Sequence, residues 1–282
     1  MLTKQKKISV IIACYNDKNY LEQSIDSALN QSYPNKEIIV VDDGSNEDTK
    51  KFLRSIESKI DILISQENLG PGSARNKGVD AATGEYILIL DSDDYFEPEF
   101  CKMAAEILDH DENVKIVTCH ARWFTNEKKF QIYKPKGGTV ENFLVSNSAV
   151  GNSLMRKKDF LSCGGYDEDL KSGFEDWELF IRLLAKGGNA HVIPQILFHY
   201  RKRKHSRSAK AIEKKYELQE YIYNKHSNIY KEHFSVFIHD WFKNVKKSEK
   251  FKKQVMESID YKVGYNILRP FRKLGLFKKI KK

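Results

Sequence analysis

Apolar and polar positions along the first 120 or so residues fall into blocks that read as strand, helix, strand, helix. Residues 7–13 (Lys-Ile-Ser-Val-Ile-Ile-Ala) are a short β-branched run and predict a buried strand. Residues 20–29 carry Leu21, Ile25, Ala28 and Leu29 at helical spacing, and Pro34 bars continuation. A second strand is expected at 37–41, a helix at 48–58, a third strand at 60–65 and a breaker-rich loop at 68–72. A helix over 73–82, a strand over 86–90, a helix over 99–108 and a strand over 115–119 complete this part. Residues 121–150 are less regular, with a turn at 134–138. A strand is expected at 151–156, a helix at 174–186 and extended chain at 191–200, broken at Pro194. After Tyr200 the pattern becomes helical and polar. Alternation with short links predicts an α/β fold whose mainly parallel sheet is flanked by helices. Ligands of such sheets sit at the carboxyl ends of the strands. Tyr15, Asp43, Asp91 and Asp93 all fall just past expected strand ends.

Composition changes this picture in one respect. The chain has 282 residues and a net charge of +9, but the charge is divided. Residues 1–200 hold 24 Lys/Arg against 31 Asp/Glu, net −7, and residues 201–282 hold 24 against 8, net +16. An acidic body with a basic tail suggests a catalytic part and a part that meets an anionic surface. No apolar run approaches the roughly 18 residues that would span a bilayer, and residues 1–7 lack the apolar core of a signal peptide. Cys14, Cys101, Cys119 and Cys163 form no C-x-x-C pair and read as buried thiols of a reducing compartment.

Three short segments can carry chemistry. Asp91-Ser92-Asp93-Asp94 puts three carboxylates into four positions at the end of an apolar strand. An oxygen-preferring divalent cation, Mg²⁺ or Mn²⁺, would relieve their repulsion; the plain alternative is a solvated acidic turn before a helix. Asp42-Asp43-Gly44-Ser45 ends the second strand, where a carboxylate can accept from a base imide or a ribose hydroxyl, or simply cap a turn. Arg75 and Asn76, on the helix after the 68–72 loop, can reach a base carbonyl or a phosphate. Glu175-Asp176-Trp177 opens a helix after Gly173. Acids are favoured there by the helix dipole, and a carboxylate beside an apolar indole can be raised into the range of a general base.

In order and spacing, these segments resemble a known family. The matching stretches are Ser-Val-Ile-Ile-Ala-Cys-Tyr-Asn at 9–16, Gln-Ser-Tyr-Pro at 31–34, Val-Asp-Asp-Gly-Ser at 41–45 and Ala-Arg-Asn-Lys-Gly at 74–78. Gly-Glu-Tyr-Ile at 84–87, Leu-Asp-Ser-Asp-Asp at 90–94, Gly-Gly-Tyr-Asp-Glu at 164–168 and Glu-Asp-Trp at 175–177 continue the series. Over residues 7–205 the chain resembles glycosyltransferase family 2. The resemblance implies the GT-A fold, a Rossmann-like sheet, and inverting sugar transfer from a nucleoside-diphosphate sugar, usually UDP-linked, to an acceptor hydroxyl of a surface or cell-envelope glycan. A nucleotide-binding half would span 7–120 and an acceptor half 121–205, followed by a helical basic extension over 206–282.

The resemblance also implies roles. Tyr15 would pack on the base, and Asp43, with Asp42 beside it, would hydrogen-bond it. Arg75 would help hold the nucleotide. Asp91 and Asp93 would frame a D-x-D element around Ser92, with Asp93 as the more direct ligand of Mn²⁺ or Mg²⁺ and Asp91 nearer the ribose and sugar. Asp176 would be the base, Glu175 would orient hydroxyls, and Trp177 would wall the acceptor pocket. The sequence departs from the family at Ala13-Cys14, where many members carry Pro-Thr. It departs again at 202–206, which leaves open which of Arg201, Arg203 and His205 closes over the diphosphate.

In the tail, Val263, Ile267, Leu268, Phe271, Leu274 and Phe277 fall on one half of a helix, with Arg269, Arg272 and Lys273 opposite; Pro270, Gly275 and Leu276 spoil the pattern. A basic amphipathic segment of this kind reads as lying on an anionic membrane surface. A lipid-linked glycan acceptor would give such contact a purpose, and the chain is then expected in the cytoplasm, peripheral at the inner face of the membrane. A competing reading is nucleic-acid binding through residues 201–210 and the tail, where basic residues interleave with Tyr216, Tyr221, Tyr223 and Trp241. No nucleic-acid motif accompanies it and the body is acidic, so the expected partners are a nucleotide sugar and a glycan, not nucleic acid.

Overall fold

The computed structural model describes residues 5–125, 130–203 and 206–273, with side chains described to 271. His205, Leu274 and Phe277 therefore lie outside the described residues.

The core is a nine-stranded sheet. Strands β1 (Ile8–Cys14), β2 (Lys36–Asp43), β3 (Ile62–Gln66) and β4 (Tyr86–Asp91) form its parallel part, in the order β3-β2-β1-β4. β1, β2 and β4 are apolar and buried on both faces, as crossover strands covered by helices must be. The helices α1 (Lys18–Leu29), α2 (Glu47–Ile56), α3 (Pro71–Ala81) and α4 (Phe100–His110) cover it. The sheet then continues through β8 (Leu154–Arg156), β6 (Val114–Phe124), β9 (Asn189–Arg201) and β5 (Tyr95–Phe96), with β7 (Phe130–Tyr133) on the side of β6. β8 pairs antiparallel with β4 and β6, while β6 and β9 are parallel.

Three expectations are corrected here. The strand expected over 151–156 is shorter, Leu154–Arg156; before it, the Val150 N–H donates to Thr118 Oγ1 and Asn152 Oδ1 accepts from the Asp91 N–H, so side chains take the place of a regular ladder. Residues 121–150 hold more order than their pattern suggests, since β6 runs on to Phe124 and pairs with β7. Pro194 does not break the extended chain. The β6–β9 register jumps from Cys119–Ile193 to His120–Ile196, so Pro194 and Gln195 are accommodated as a bulge. Proline cannot donate to the ladder and is tolerated in a strand at such an irregularity.

The polypeptide divides into two compact units, Met1–Glu232 and His233–Lys282. In the first, helices α5 (Lys157–Ser162) and α6 (Glu175–Leu184) are joined by three helices that follow the sheet: α7 (Arg207–Glu213), α8 (Lys215–Lys225) and α9 (Ser227–Glu232). These last three are sewn to the body by long-range polar contacts. His226 Nε2 lies 2.7 Å from Glu178 Oε1, Tyr230 donates to the Leu144 carbonyl at 3.1 Å, and Lys225 pairs with Asp167 at 2.5 Å. Burial opposes the charge on Glu178, but His226 and Arg182 outweigh it and hold the carboxyl at about 2. The second unit consists of α10 (Phe234–Glu257) and α11 (Ile259–Lys273). No residue of α10 is buried, and α11 continues through Pro270. Among the described residues no helix is long and apolar enough to cross a membrane.

Candidate active site

The mouth of the sheet is built from the strand ends that the sequence marks. β2 delivers Asp42 and Asp43, both buried. Asp42 Oδ1 accepts from the Ser45 backbone N–H at 2.9 Å and closes the turn. Asp43 accepts from Gln66 Nε2 and from the Leu69 and Gly70 backbone N–H groups at 2.8–3.0 Å, which fixes the loop before α3. A carboxylate has about four acceptor positions, so Asp43 keeps room for one further donor. Tyr15, just past β1, is 51% exposed beside this turn's partner loop: the neighbouring Asn16 N–H donates to Ser45 Oγ at 3.0 Å.

Each of the three carboxylates after β4 has a partner on another element, yet they still act on one another: burial and then Asp91 raise Asp93 to about 6. Asp91 pairs with Arg75 Nη2 at 2.5 Å, and its backbone N–H donates to Asn152 Oδ1 at 2.6 Å. Asp93 pairs with Arg203 Nη2 at 2.7 Å. Asp94 turns inward and accepts from the Arg201 backbone N–H at 2.7 Å. Burial, and then Asp93 and Asp91, push Asp94 well above its ordinary value. Ser92 Oγ donates to Asp17 Oδ2 at 2.7 Å, which ties the segment to the loop before α1.

α6 supplies the third carboxylate pair. Its entry is tight: Gly173 has φ +131° and Phe174 φ +66°. A Cβ on Gly173 would come within 2.6 Å of the Ala211 Cβ on α7, so glycine lets α7 approach. That approach brings Arg207 onto Glu175 through two hydrogen bonds, while Arg75 Nη1 holds the same carboxylate from the other side at 2.7 Å. Burial raises the cost of charge on Glu175, but Arg207 and Arg75 overcome it and hold the carboxyl at about 2. Its neighbour behaves oppositely. Burial, and then the Glu175 charge, raise Asp176 to about 6. Asp176 Oδ2 accepts from Asn147 Nδ2 at 2.9 Å, and among the described residues no cation pairs with it. A Cβ on Gly151 would sit 2.6 Å from Asp176 Oδ2, so the glycine clears space for the carboxylate.

The structure therefore joins Asp91, Arg75, Glu175 and Arg207 into one chain of ion pairs. Arg75, only 5% exposed, also stacks its guanidinium 5.2 Å from the Tyr166 ring centre. The nucleotide role implied for Arg75 shares this side chain with a structural one. Trp177, expected as a wall of the acceptor pocket, is 3% exposed; its Nε1 donates to the Phe143 carbonyl at 2.6 Å, so the indole braces the first turn of α6 from the core. Four functional candidates escaped the sequence: Asp17, Asn147, Asn152 and Arg207. Nothing periodic marks any of them, because each is recruited across the fold rather than along it.

For the divalent cation the residues fit. Asp93 and Asp91 offer hard carboxylate oxygens, and a guanidinium already sits against Asp93, so the position accepts positive charge. Among the described residues no group of three or more His, Cys, Asp or Glu side chains is arranged to hold a metal. Mg²⁺ and related ions commonly take one or two protein carboxylates and complete their shell with water and substrate phosphate.

Comparison with known proteins agrees with this architecture. The mannosyltransferase PcManGT from Pyrobaculum calidifontis, solved in complex with GDP-Man and Mn²⁺, superposes with a TM-score of 0.65 at 19% identity, covering 98% of this chain and 82% of that one. S. aureus TarS 1-349 in complex with UDP-GlcNAc superposes with a TM-score of 0.61 at 22% identity, covering 73% and 61%. The fold is the GT-A type. In sequence, an uncharacterized glycosyltransferase of Methanocaldococcus jannaschii is 30% identical over 205 residues, 69% of this chain and 70% of that protein. The minor teichoic acid biosynthesis protein GgaA of Bacillus subtilis is 33% identical over 212 residues, 70% of this chain but 47% of that protein. The chain thus spans less than two thirds of TarS 1-349 and about half of GgaA. With residues 9–164 matching the family model for glycosyl transferase family 2, the chain belongs to that family.

Proposed function

We propose that the chain transfers a sugar, with inversion, from a uridine-diphosphate sugar to a hydroxyl of a growing cell-envelope glycan. The observation that carries this reading is the divergence of two adjacent carboxylates, Glu175 held at about 2 and Asp176 raised to about 6. Neighbouring acids whose surroundings separate their titration are the mark of divided acid–base labour. Glu175 is spent on two arginines and orients; Asp176 is the base. An acceptor hydroxyl bound to Asp176 gives its proton to the carboxylate as its oxygen attacks the anomeric carbon. The bond to the diphosphate breaks on the opposite face, and its electron pair leaves on the diphosphate oxygen. Inversion follows from this single in-line displacement. Tyr15 packs on the base and Asp43 accepts from it, while Trp177 holds the acceptor side of the site from beneath. Asp93, with Asp91 beside it, would hold a divalent cation, which supplies Lewis-acid neutralisation of the diphosphate when bound. The TarS complex with UDP-GlcNAc supports a uridine donor, and GgaA, a teichoic acid biosynthesis protein, supports a surface glycan as acceptor.

The test is a screen of nucleotide sugars with Mn²⁺, following release of nucleoside diphosphate. One uridine-linked sugar should be turned over, chelator should abolish turnover, and Mn²⁺ or Mg²⁺ should restore it. Release of pyrophosphate would instead mean nucleotidyl transfer, and full turnover in chelator would remove the metal from the reading.

The same proposal places the enzyme at the inner face of the cytoplasmic membrane, held peripherally. Residues 233–282 carry 14 Lys/Arg against 4 Asp/Glu, net +10. α10 exposes Phe234, Phe242, Val245 and Met256, and α11 exposes Ile259, Val263, Ile267 and Phe271. Apolar side chains flanked by basic ones suit an anionic lipid surface, where each Lys or Arg contributes about 1 kcal/mol. The full chain should float with vesicles rich in phosphatidylglycerol and not with neutral ones. Deleting 263–282 should reduce flotation; an unchanged distribution would discard the role of that segment.

A further inference from the structure

Arg201 and Arg203 leave the same strand end but are held differently. Arg201 is locked from several directions: its backbone N–H donates to Asp94, its Nε to the Asp93 carbonyl at 3.0 Å, its Nη2 to Gln23 Oε1 at 2.6 Å, and its guanidinium lies between the Tyr20 and Phe124 rings. Arg203 has a simpler setting. One prong, Nη1, meets Asp17 Oδ1 at 2.6 Å; the other, Nη2, meets Asp93 Oδ2 at 2.7 Å. Nη2 also reaches Asp17 Oδ2 at 3.5 Å; among the described residues its Nε is shut from solvent with no hydrogen-bond partner, and the guanidinium lies 5.3 Å from the Tyr20 ring centre. Its side chain is one third exposed, so it can leave toward solvent without unpacking the core.

From this geometry we propose that Arg203 is a built-in counter-cation that holds Asp17 and Asp93 in place of the divalent cation and must be displaced for that cation to bind. The proposal rests on the metal role given to Asp93 above and adds Asp17, anchored by Ser92, as the second carboxylate of the seat. The charge arithmetic favours the exchange. One guanidinium between two carboxylates leaves one negative charge over; a divalent cation neutralises both. The displaced guanidinium is then a free planar donor at the place where a diphosphate arrives, and that geometry suits phosphate oxygens. Arg203 acts here through Asp17 and Asp93, as a positioning residue. Without it, the empty site would bring two partly buried carboxylates together unneutralised.

The experiment needs no donor: Mn²⁺ binding to the full chain is measured by calorimetry and by the electron paramagnetic resonance of free Mn²⁺. Arg203→Gln should bind Mn²⁺ at least about tenfold more tightly than the wild type, because the competitor is gone. Arg203→Lys keeps a cation and should stay within about threefold of the wild type. Asp17→Asn added to Arg203→Gln should cancel the gain. Circular dichroism of each variant confirms that it is folded. If folded Arg203→Gln binds Mn²⁺ no more tightly than the wild type, while the wild type does bind it, the placeholder idea is wrong and the metal role of Asp93 stands. If the double variant keeps the gain, Asp17 is not part of the seat. If neither the wild type nor Arg203→Gln binds Mn²⁺, the seat itself is refuted, and the assignment of Asp176 as base is untouched.

Discussion

Asp176→Asn should bind donor about as well as the wild type and transfer sugar roughly a hundredfold to ten-thousandfold more slowly, the range that a positioned general base supplies. The amide keeps the shape of the side chain but cannot take the hydroxyl proton. The wild type carries its own control in its pH profile. Asp176 must be ionised to act, and burial and Glu175 raise it to about 6. Below that pH, kcat/KM should therefore fall about tenfold per unit. Glu175 sits at about 2 and would give no such limb. A profile that stays flat well below pH 6, or an Asp176→Asn enzyme with near-normal turnover, would remove Asp176 from the role. Loss of fold does not explain the expected result. The folded value of Asp176 lies above the ordinary 3.8, so its ionisation opposes folding above that pH. Removing the charge should leave thermal stability at neutral pH equal or higher.

Arg75→Met should be the most destabilising single change at the site, costing about 3–5 kcal/mol in urea unfolding at neutral pH. Methionine keeps much of the volume, so the loss is electrostatic. Arg75 separates Asp91 from Glu175, and without it the half-buried Asp91 and the buried Glu175 face each other, with Arg207 left on Glu175. The sign of the pH dependence follows. Against the cost of burial, Arg75 lowers Asp91, and Arg207 with Arg75 lowers Glu175 to about 2. Stability from such depressed carboxyls is present above their ordinary values of 3.8 and 4.5 and is lost as pH falls toward the folded ones. The gap between wild type and variant should therefore narrow in acid. If Arg75 served the nucleotide alone, the variant would unfold like the wild type and show only a weaker donor affinity. Activity should fall in either case, so the unfolding curve is what separates the two roles.

Both predictions concern groups with unequal visibility in the sequence. Asp43 and Asp91 can be found by eye, because an uninterrupted apolar run makes a strand buried on both faces and the first polar residues after it fall at the strand's carboxyl end. Asp176 is visible for a related reason: Gly173 and two acids in a first turn mark a helix entry. The partners that give these carboxylates their behaviour are not visible. Asn152 reaches Asp91 across 61 residues, Asn147 reaches Asp176 across 29, and Arg207 reaches Glu175 across 32. None lies on a periodic face, and an isolated Asn or Arg is unremarkable in any polar stretch. The bulge at Pro194 shows the same division. The residue announces an irregularity, but only the pairing of β9 with β6 decides that it is absorbed within a continuous strand.

What the chain's order of residues determines on its own is local. It sets which runs become strands and helices, where they end, and hence which acids stand at the mouth of the sheet, because hydrophobic periodicity and turn chemistry act over a few neighbours. The split between an acidic body and a basic tail is likewise legible without a fold. The tertiary structure decided the charge state of those acids. Whether a carboxyl is held low like Glu175 or raised like Asp176 and Asp94 depends on burial and on which charged side chains lie within reach. Both are properties of residues distant in the chain that folding brings together.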